Sequence, residues 1–242
     1  MTPEIVRVGS LLGIKTSALM PRLAPLEQDL AKRLVITVPH GFDSLSVSTR
    51  TDRTTAAGVC GSWLDALAGD ELELEVSATQ VTARSEDAAL PADAPSFLTD
   101  LGELAAVGWD GEMWTSVLEH GNADAAAQAA TAAWIDRVAE SLGVTESQRK
   151  IAAGLHASLA RRAPIRASLR SQGGKIETSL AIAWDRVEWQ PLQSMLGGFY
   201  PRGQGVDKIG RLARGIDTDV ATVELVLGPN DPPGVRFSFR LV

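Results

Sequence analysis

The residues best suited to acid–base chemistry are a histidine and an acid near the end of a predicted strand. His40 is followed three residues later by Asp43, in a run rich in turn-forming residues. Such a pair can act as an oriented general base, although Asp43 could equally serve only to cap the turn. His120 and His156 stand in unrelated contexts, and no histidine has metal-ligand spacing to another histidine, a cysteine or an acid. The sequence therefore predicts no metal site.

A glycine-rich stretch at residues 197–210 contains the only tyrosine of the chain, Tyr200, and several cations. Free backbone amides before a helix, with Arg202, Lys208 and Arg211 nearby, could hold an anion. The glycine spacing does not match a dinucleotide fingerprint, and the glycine-lysine-serine/threonine pattern of phosphate loops is absent. The stretch is therefore either a ligand loop or a flexible connection, and Tyr200 joins His40 and Asp43 as a candidate for proton transfer.

Three of the six tryptophans are candidates for binding an apolar ligand. Trp184 and Trp189 flank the point where a predicted strand ends, and Trp63 lies in a predicted helix of the first third of the chain. Together they could wall a cleft for a flat apolar molecule. The alternative is that they fill the core.

Cys60 is the only cysteine, so the chain has neither a disulfide framework nor a thiolate metal site. It stands inside a predicted helix, where a small core residue is expected rather than a nucleophile. No glycine-x-serine-x-glycine motif occurs either. We therefore predict no cofactor, and the only catalytic chemistry left open is acid–base chemistry.

Composition places the chain among ordinary globular proteins, with 45% hydrophobic and 22% charged residues in 242. The net charge of −7 argues against nucleic acid as the main partner, because that affinity requires cations that neutralise phosphates. No run approaches the roughly 18 apolar residues of a membrane span, and the first residues do not resemble a signal peptide. These features predict a cytoplasmic protein, and the excess of arginine over lysine suggests a bacterial source.

Charge is unevenly distributed along the chain. Residues 85–148 hold twelve acids and one cation, whereas residues 147–176 hold seven cations and no acid. The two segments could face each other or face water. Alternatively, the basic segment could meet an acidic partner or an anionic ligand.

A possible internal repeat determines the predicted fold. Residues 26–33 resemble residues 155–162, and both octets read leucine, three residues, leucine-alanine and two cations. Weaker matches follow in the same order. We interpret them as a duplication, although chance matches between common residues are the alternative.

The predicted fold class is α+β, with two pseudo-symmetric αββαβ-type halves, antiparallel sheets and a helical insert between the halves. Residues 1–84 would form the first half, 85–145 the acidic helical insert and 146–242 the second half, packed as one compact domain.

Two strand patterns are clear, at residues 72–78 and 235–241, where apolar and polar residues alternate. Each strand is expected to bury one face and expose the other to water. The second is predicted to form a hairpin with residues 220–227. Helices are predicted over residues 54–67 and, rich in alanine, between Asn122 and Gly143.

The leading functional hypothesis is a binding or adaptor protein that holds a small apolar or anionic ligand, or a protein partner, in a cleft between the duplicated halves. The alternative is a cofactor-independent isomerase, cyclase or hydrolase that uses acid–base chemistry. A third hypothesis is an RNA-binding or RNA-processing protein, which the acidic balance opposes. The sequence predicts no membrane association and is compatible with a homo-oligomer.

Overall fold

The fold is a single closed barrel of ten antiparallel strands. The computed structural model describes residues 3–39, 43–87, 89, 103–120, 125–159, 165–172, 175–188, 210–212, 220–227 and 234–241. Each strand pairs with the strands before and after it in the chain, and β1 pairs with β10 to close the sheet. The barrel is thus a continuous up-and-down meander without free sheet edges.

The strands are distributed between residues 35 and 240, and the helices precede them or lie between them. The strands are β1 Val35–Pro39, β2 Ser46–Asp52, β3 Glu71–Ser77, β4 Val81–Ser85, β5 Glu103–Trp109, β6 Trp114–His120, β7 Ile165–Gln172, β8 Lys175–Glu188, β9 Val220–Leu227 and β10 Gly234–Arg240. The α-helices are α1 Pro3–Leu12, α2 Met20–Leu23, α3 Glu27–Lys32, α4 Arg53–Cys60, α5 Ala125–Ser141 and α6 Glu146–Leu159.

The barrel has an apolar outer face and a polar inner face. On β10, Val235, Phe237 and Phe239 are buried in the hydrophobic core, whereas the alternate residues Arg236 and Ser238 line a cavity inside the barrel. Because successive side chains of a strand point to opposite faces of the sheet, the core must lie outside the barrel.

Helices cover this apolar outer face. Ile5 of α1, Leu30 of α3 and Val138 of α5 are buried in the same core cluster as the outward residues of the strands. Polar contacts fix the helices in place: the Arg22 side chain donates to the carbonyl of Ser77 (2.9 Å), and the Thr51 hydroxyl donates to Asp29 (2.6 Å). No helix among the described residues is long and apolar enough to cross a membrane.

The predicted α+β arrangement of two halves separated by a helical insert is therefore wrong. Segments on both sides of residues 85–145 belong to one sheet, and that middle third contributes β5 and β6 to it. The sequence of β6 misleads because Trp114, Val117 and Leu118 have helical spacing, while Val117 in fact faces the polar lumen. In β5, a register shift between Leu104 and Ala106 disrupts the alternation that would have indicated a strand.

Several local predictions are confirmed. The long alanine-rich helix is α5, with Trp134, Ile135 and Val138 buried along one stripe, and Gly143, with φ of 70°, follows its end. The alternating strand at residues 72–78 is β3, and the last two strands form the predicted hairpin.

The acidic and basic segments contact each other at two described positions. Arg149 of α6 pairs with Asp136 of α5 (2.9 Å), and Arg170 of β7 pairs with Asp110 after β5 (2.5 Å). Each pair joins a cation of the basic segment to an acid of the acidic segment. The uneven charge along the chain is thus partly compensated within the fold.

The helix predicted over residues 54–67 is in fact two segments. Asp52 caps the start of α4 by accepting from the amide of Thr55 (2.9 Å). The α-helix ends at Cys60, because Gly61 adopts a φ of 70°, and a 3₁₀ segment, Gly61–Ala66, follows. Cys60 is buried in the core, as predicted.

We predict that Cys60 is an unreactive thiol. Burial raises its pKa from 9.0 to about 11, which lowers the thiolate fraction near neutral pH by roughly a hundredfold. Labelling of the native protein with Ellman's reagent should therefore be far slower than labelling of the urea-unfolded chain. Equal rates for the two states would contradict the buried position of Cys60.

Candidate ligand-binding site

The barrel encloses a cavity of about 1070 Å³, which we call the lumen. It extends from the exposed residues Glu71, Glu86 and Arg240 at one end of the barrel down to Glu75 and Ser168 in its interior. The volume lies just above the range of roughly 300–1,000 Å³ that is typical of small-molecule pockets. The barrel is thus wide enough to leave space that its own described side chains do not fill.

One wall of the lumen is charged. The described charged residues that line it come from the segment before β1, from β2–β4 and the two residues after β4, and from β9 and β10: Arg33, Arg50, Glu71, Glu73, Glu75, Arg84, Glu86, Asp87, Glu224, Arg236 and Arg240. These strands are contiguous around the barrel, because β1 pairs with β10. We call this surface the charged wall.

Four ion pairs organise the charged wall. Arg84 pairs with Glu75 at 2.8 Å, Arg236 with Glu224 at 2.6 Å and Arg33 with Glu73 at 3.7 Å; Arg50 pairs with Glu86 near the exposed end. The Ser46 hydroxyl also donates to Glu75 (2.7 Å). Glu75 thus accepts from two donors on two neighbouring strands.

Strand alternation and one glycine position Arg84. Glu73 is directly opposite Arg84 in the β3–β4 ladder, so Glu73, Glu75 and Arg84 share the inner face. On the other side, Arg84 is opposite Gly108 of β5. A Cβ atom at Gly108 would lie 3.1 Å from Cγ of Arg84. Glycine therefore leaves room for the arginine side chain to lie over β5.

Electrostatics keep the central pair ionised. Burial raises the pKa of Glu75, but attraction by Arg84 and Arg236 and the hydrogen bond from Ser46 outweigh it, so the pKa of Glu75 is lowered overall. Burial lowers the pKa of Arg84, and attraction by Glu75, Glu73 and Glu224 outweighs that effect and raises it overall. A carboxylate held ionised in this way suits hydrogen bonding to a ligand better than proton transfer near neutral pH.

The guanidinium groups of the charged wall are not fully satisfied. The Nε atoms of Arg33, Arg84 and Arg236 are buried without a hydrogen-bond acceptor. Nε of Arg236 nonetheless lies 2.6 Å from Oε2 of Glu224, within ion-pair distance.

Among the described residues, the opposite wall carries only small, uncharged side chains. Its described lining residues are Ala105 and Ala106 of β5, Val117 of β6, Ser168 of β7 and Ala183 of β8. These four strands are contiguous in the barrel. We call this surface the neutral wall, and its short side chains are the reason that the lumen is open beside the charged wall.

The other end of the barrel is tied together by Asp110. Its carboxylate accepts from Gln80 (2.7 Å), from Arg170 (2.5 Å) and from the amides of Glu112 and Met113 (2.9 and 2.8 Å). These contacts join the β3–β4 turn, the β5–β6 turn and β7. A smaller cavity of about 440 Å³, which Trp63 lines, lies beside Asp110.

The predicted cleft between two halves has no counterpart in a closed barrel. Trp63 is half-buried beside the 440 Å³ cavity. Trp184 is buried on the outer face, where its Nε1 donates to Nδ1 of His156 on α6 (3.5 Å). Neither tryptophan is among the residues that line the lumen. The expected cleft does not exist, because the chain forms one closed barrel and not two halves.

The other predicted site residues are exposed or lie outside the described residues. Arg211 and Asp43 are exposed, and the Asp43 carboxylate accepts from the Ser44 hydroxyl (3.2 Å). The rest lie outside the described residues: His40, Trp189, Tyr200, Arg202 and Lys208. Their proposed roles stay predictions.

Sequence reasoning missed the residues of the charged wall. Glu73, Glu75, Arg236 and Arg240 were expected on water-facing sides of their strands. The signal that could have found them is the recurrence of glutamates at alternate positions in β3 and of arginines on the polar face of β10. Such a pattern fits a polar lumen as well as it fits an outer surface.

The fold and the lumen together define a ten-stranded up-and-down barrel with paired charges inside it. Among the described residues, no group of three histidine, cysteine, aspartate or glutamate side chains is arranged to hold a metal ion. Neither a protein-family model nor a curated protein matches the chain.

Proposed function

We propose that this protein binds a small polar ligand in the lumen of its barrel. The observation that carries the proposal is a cavity of about 1070 Å³ lined by paired arginines and carboxylates on one side and by small residues on the other. The proposal keeps the binding hypothesis drawn from the sequence. It differs in the place of the site, which is the interior of the barrel and not a cleft between two halves.

The composition of the lumen supports binding over a purely structural role. Burying charged pairs is costly, and apolar side chains of similar volume are often as stabilising or more so. A barrel that needed only stability would be expected to fill its interior with larger apolar residues. Here Ala105, Ala106 and Ala183 leave space beside the charged pairs.

The same composition opposes a wholly apolar ligand. Such a molecule would displace water from Glu75, Arg84 and Arg236 without replacing the lost hydrogen bonds. A ligand with donors and acceptors can replace them. The acid–base enzyme alternative and the cytoplasmic location remain predictions from the sequence.

Filling the lumen tests the proposal. Ala183→Trp places a large side chain on the neutral wall, whereas Leu11→Trp places the same side chain on the exposed face of α1, where Leu11 is 41% exposed. Native mass spectrometry of the protein isolated from its producing cell should show a bound small molecule in the wild type and in Leu11→Trp, and none in Ala183→Trp. The same adduct in all three folded proteins would show that the ligand is held elsewhere.

A further inference from the structure

We infer that the ligand of the lumen is a neutral, polyhydroxylated molecule of the saccharide or cyclitol class. This inference rests on the proposed function, since it assigns a chemical class to the ligand of that same site. Three observations carry it: the balance of charge in the lumen, the mutual pairing of its charged groups, and the small apolar surface opposite them.

The described residues that line the lumen carry almost no net charge in total. It contains five arginines and six carboxylates, which leaves a net charge of −1. Groups of both signs lie side by side on the charged wall, so an anionic ligand would meet carboxylates wherever it met arginines. A cationic ligand would face the reverse problem. Neither an anionic nor a cationic ligand would gain enough attraction from the wall to offset the loss of its own hydration.

Four of the six carboxylates are already engaged with arginines. Glu73, Glu75, Glu86 and Glu224 each lie within ion-pair distance of one. An ionic ligand that bound to these four pairs would have to break one of them and leave a charge behind. A hydroxyl group can instead donate to the carboxylate and accept from the guanidinium of the same pair, because it is both a donor and an acceptor. Bonds of this kind to charged groups are stronger than those between neutral groups.

The neutral wall suits the apolar part of such a molecule. Ala105, Ala106, Val117 and Ala183 offer a shallow apolar surface, against which the C–H faces of a saturated ring can pack. No aromatic side chain is among the described residues that line the lumen, so a planar aromatic ligand would find no stacking partner among those residues. The ligand expected is therefore a saturated ring that carries hydroxyl groups along its edge.

Isothermal titration calorimetry tests the inference with defined probes. The neutral probes are a set of mono-, di- and trisaccharides and inositols that covers the common hydroxyl configurations; the charged probes are citrate, spermidine and glycine betaine. Calorimetry is preferred to a thermal shift because polyols stabilise most proteins by exclusion from their surfaces. We expect one neutral probe to bind to the wild type and to Leu11→Trp with one-to-one stoichiometry, and not to Ala183→Trp.

Glu75→Gln supplies the second readout. It removes the charge from the carboxylate while keeping the side-chain size, so the affinity for that probe should fall about tenfold, with circular dichroism confirming that the variant is folded. Binding of only a charged probe, lost in Ala183→Trp, would overturn the assigned class and leave the proposed function standing. If no probe bound in a manner that Ala183→Trp abolishes, the assigned class would fail, whereas the proposed function fails only if native mass spectrometry shows no bound molecule that Ala183→Trp removes.

Discussion

Replacing Phe237 with alanine is expected to lower the free energy of unfolding by about 4 kcal/mol. Phe237 is fully buried on the outer face of β10, in the core cluster between the barrel and its helices. Removing the ring would leave a cavity in that core, and the loss should appear as a lower midpoint of urea denaturation with an unchanged slope.

The neighbouring residue provides the control. Ser238 lies on the inner face, where its hydroxyl is 2.7 Å from that of Thr37. Ser238→Ala removes one hydrogen bond beside the lumen and should cost only about 1 kcal/mol. A larger loss for Ser238→Ala than for Phe237→Ala would mean that the faces of the strand are assigned the wrong way round.

Breaking the central ion pair of the lumen is expected to be the second most damaging change. Arg84→Met should lower the free energy of unfolding by about 2 kcal/mol near neutral pH, because it leaves the partly buried Glu75 carboxylate without its nearest cation. The double variant Glu75→Met/Arg84→Met leaves no such charge and should recover most of the loss. Additive losses in urea denaturation would contradict a direct pairing of the two residues.

An exposed ion pair on α6 provides a control for the Arg84→Met variant. Lys150 and Glu146 of α6 lie 2.7 Å apart, but both side chains are more than 70% exposed. Lys150→Met should therefore change the free energy of unfolding by at most about 0.5 kcal/mol. The contrast with Arg84→Met isolates the effect of enclosure in the lumen.

The contribution of Glu75 should depend on pH in a defined direction. Its pKa is lowered in the folded protein from the ordinary value of 4.5, so the unfolded chain takes up its proton first as the pH falls. The stabilisation is fully present above that value and is lost as the pH drops through the lower, folded pKa. The stability difference between wild type and Glu75→Gln should therefore shrink in acid; a difference that grew as the pH fell would contradict the pairing.

The sequence was informative about individual elements and much less so about their assembly. Clear periodicity identified β3, α5 and the β9–β10 hairpin, because each buries one regular stripe of side chains. It failed where the stripe is irregular: β5 contains a register shift, and the inward Val117 of β6 hides the alternation. Closure of the barrel could not be predicted from the sequence, because it depends on pairing between distant residues such as Val35 and Arg240.

The candidate site was missed for a related reason. Alternation in β3 and β10 shows that Glu75 and Arg236 share the polar faces of their strands, but it does not say whether a polar face meets solvent outside a sheet or a lumen inside a barrel. Glu75 and Arg84 are close only because β3 and β4 are adjacent, and Arg236 approaches Glu75 only because the barrel closes. The site is thus a product of the topology, whereas its residues alone resemble an ordinary surface.

The most direct test of a polar, accessible lumen is the labelling of cysteines introduced one at a time at two adjacent positions of β8. Ala183 lines the lumen, and Ile182 is fully buried on the outer face; the buried Cys60 supplies the unreactive background. In the native state, Ala183→Cys should react with iodoacetamide about a hundredfold faster than Ile182→Cys, because only the first thiol is accessible to water and reagent. Equal rates, or faster labelling at position 182, would contradict the open lumen and the ligand site proposed within it.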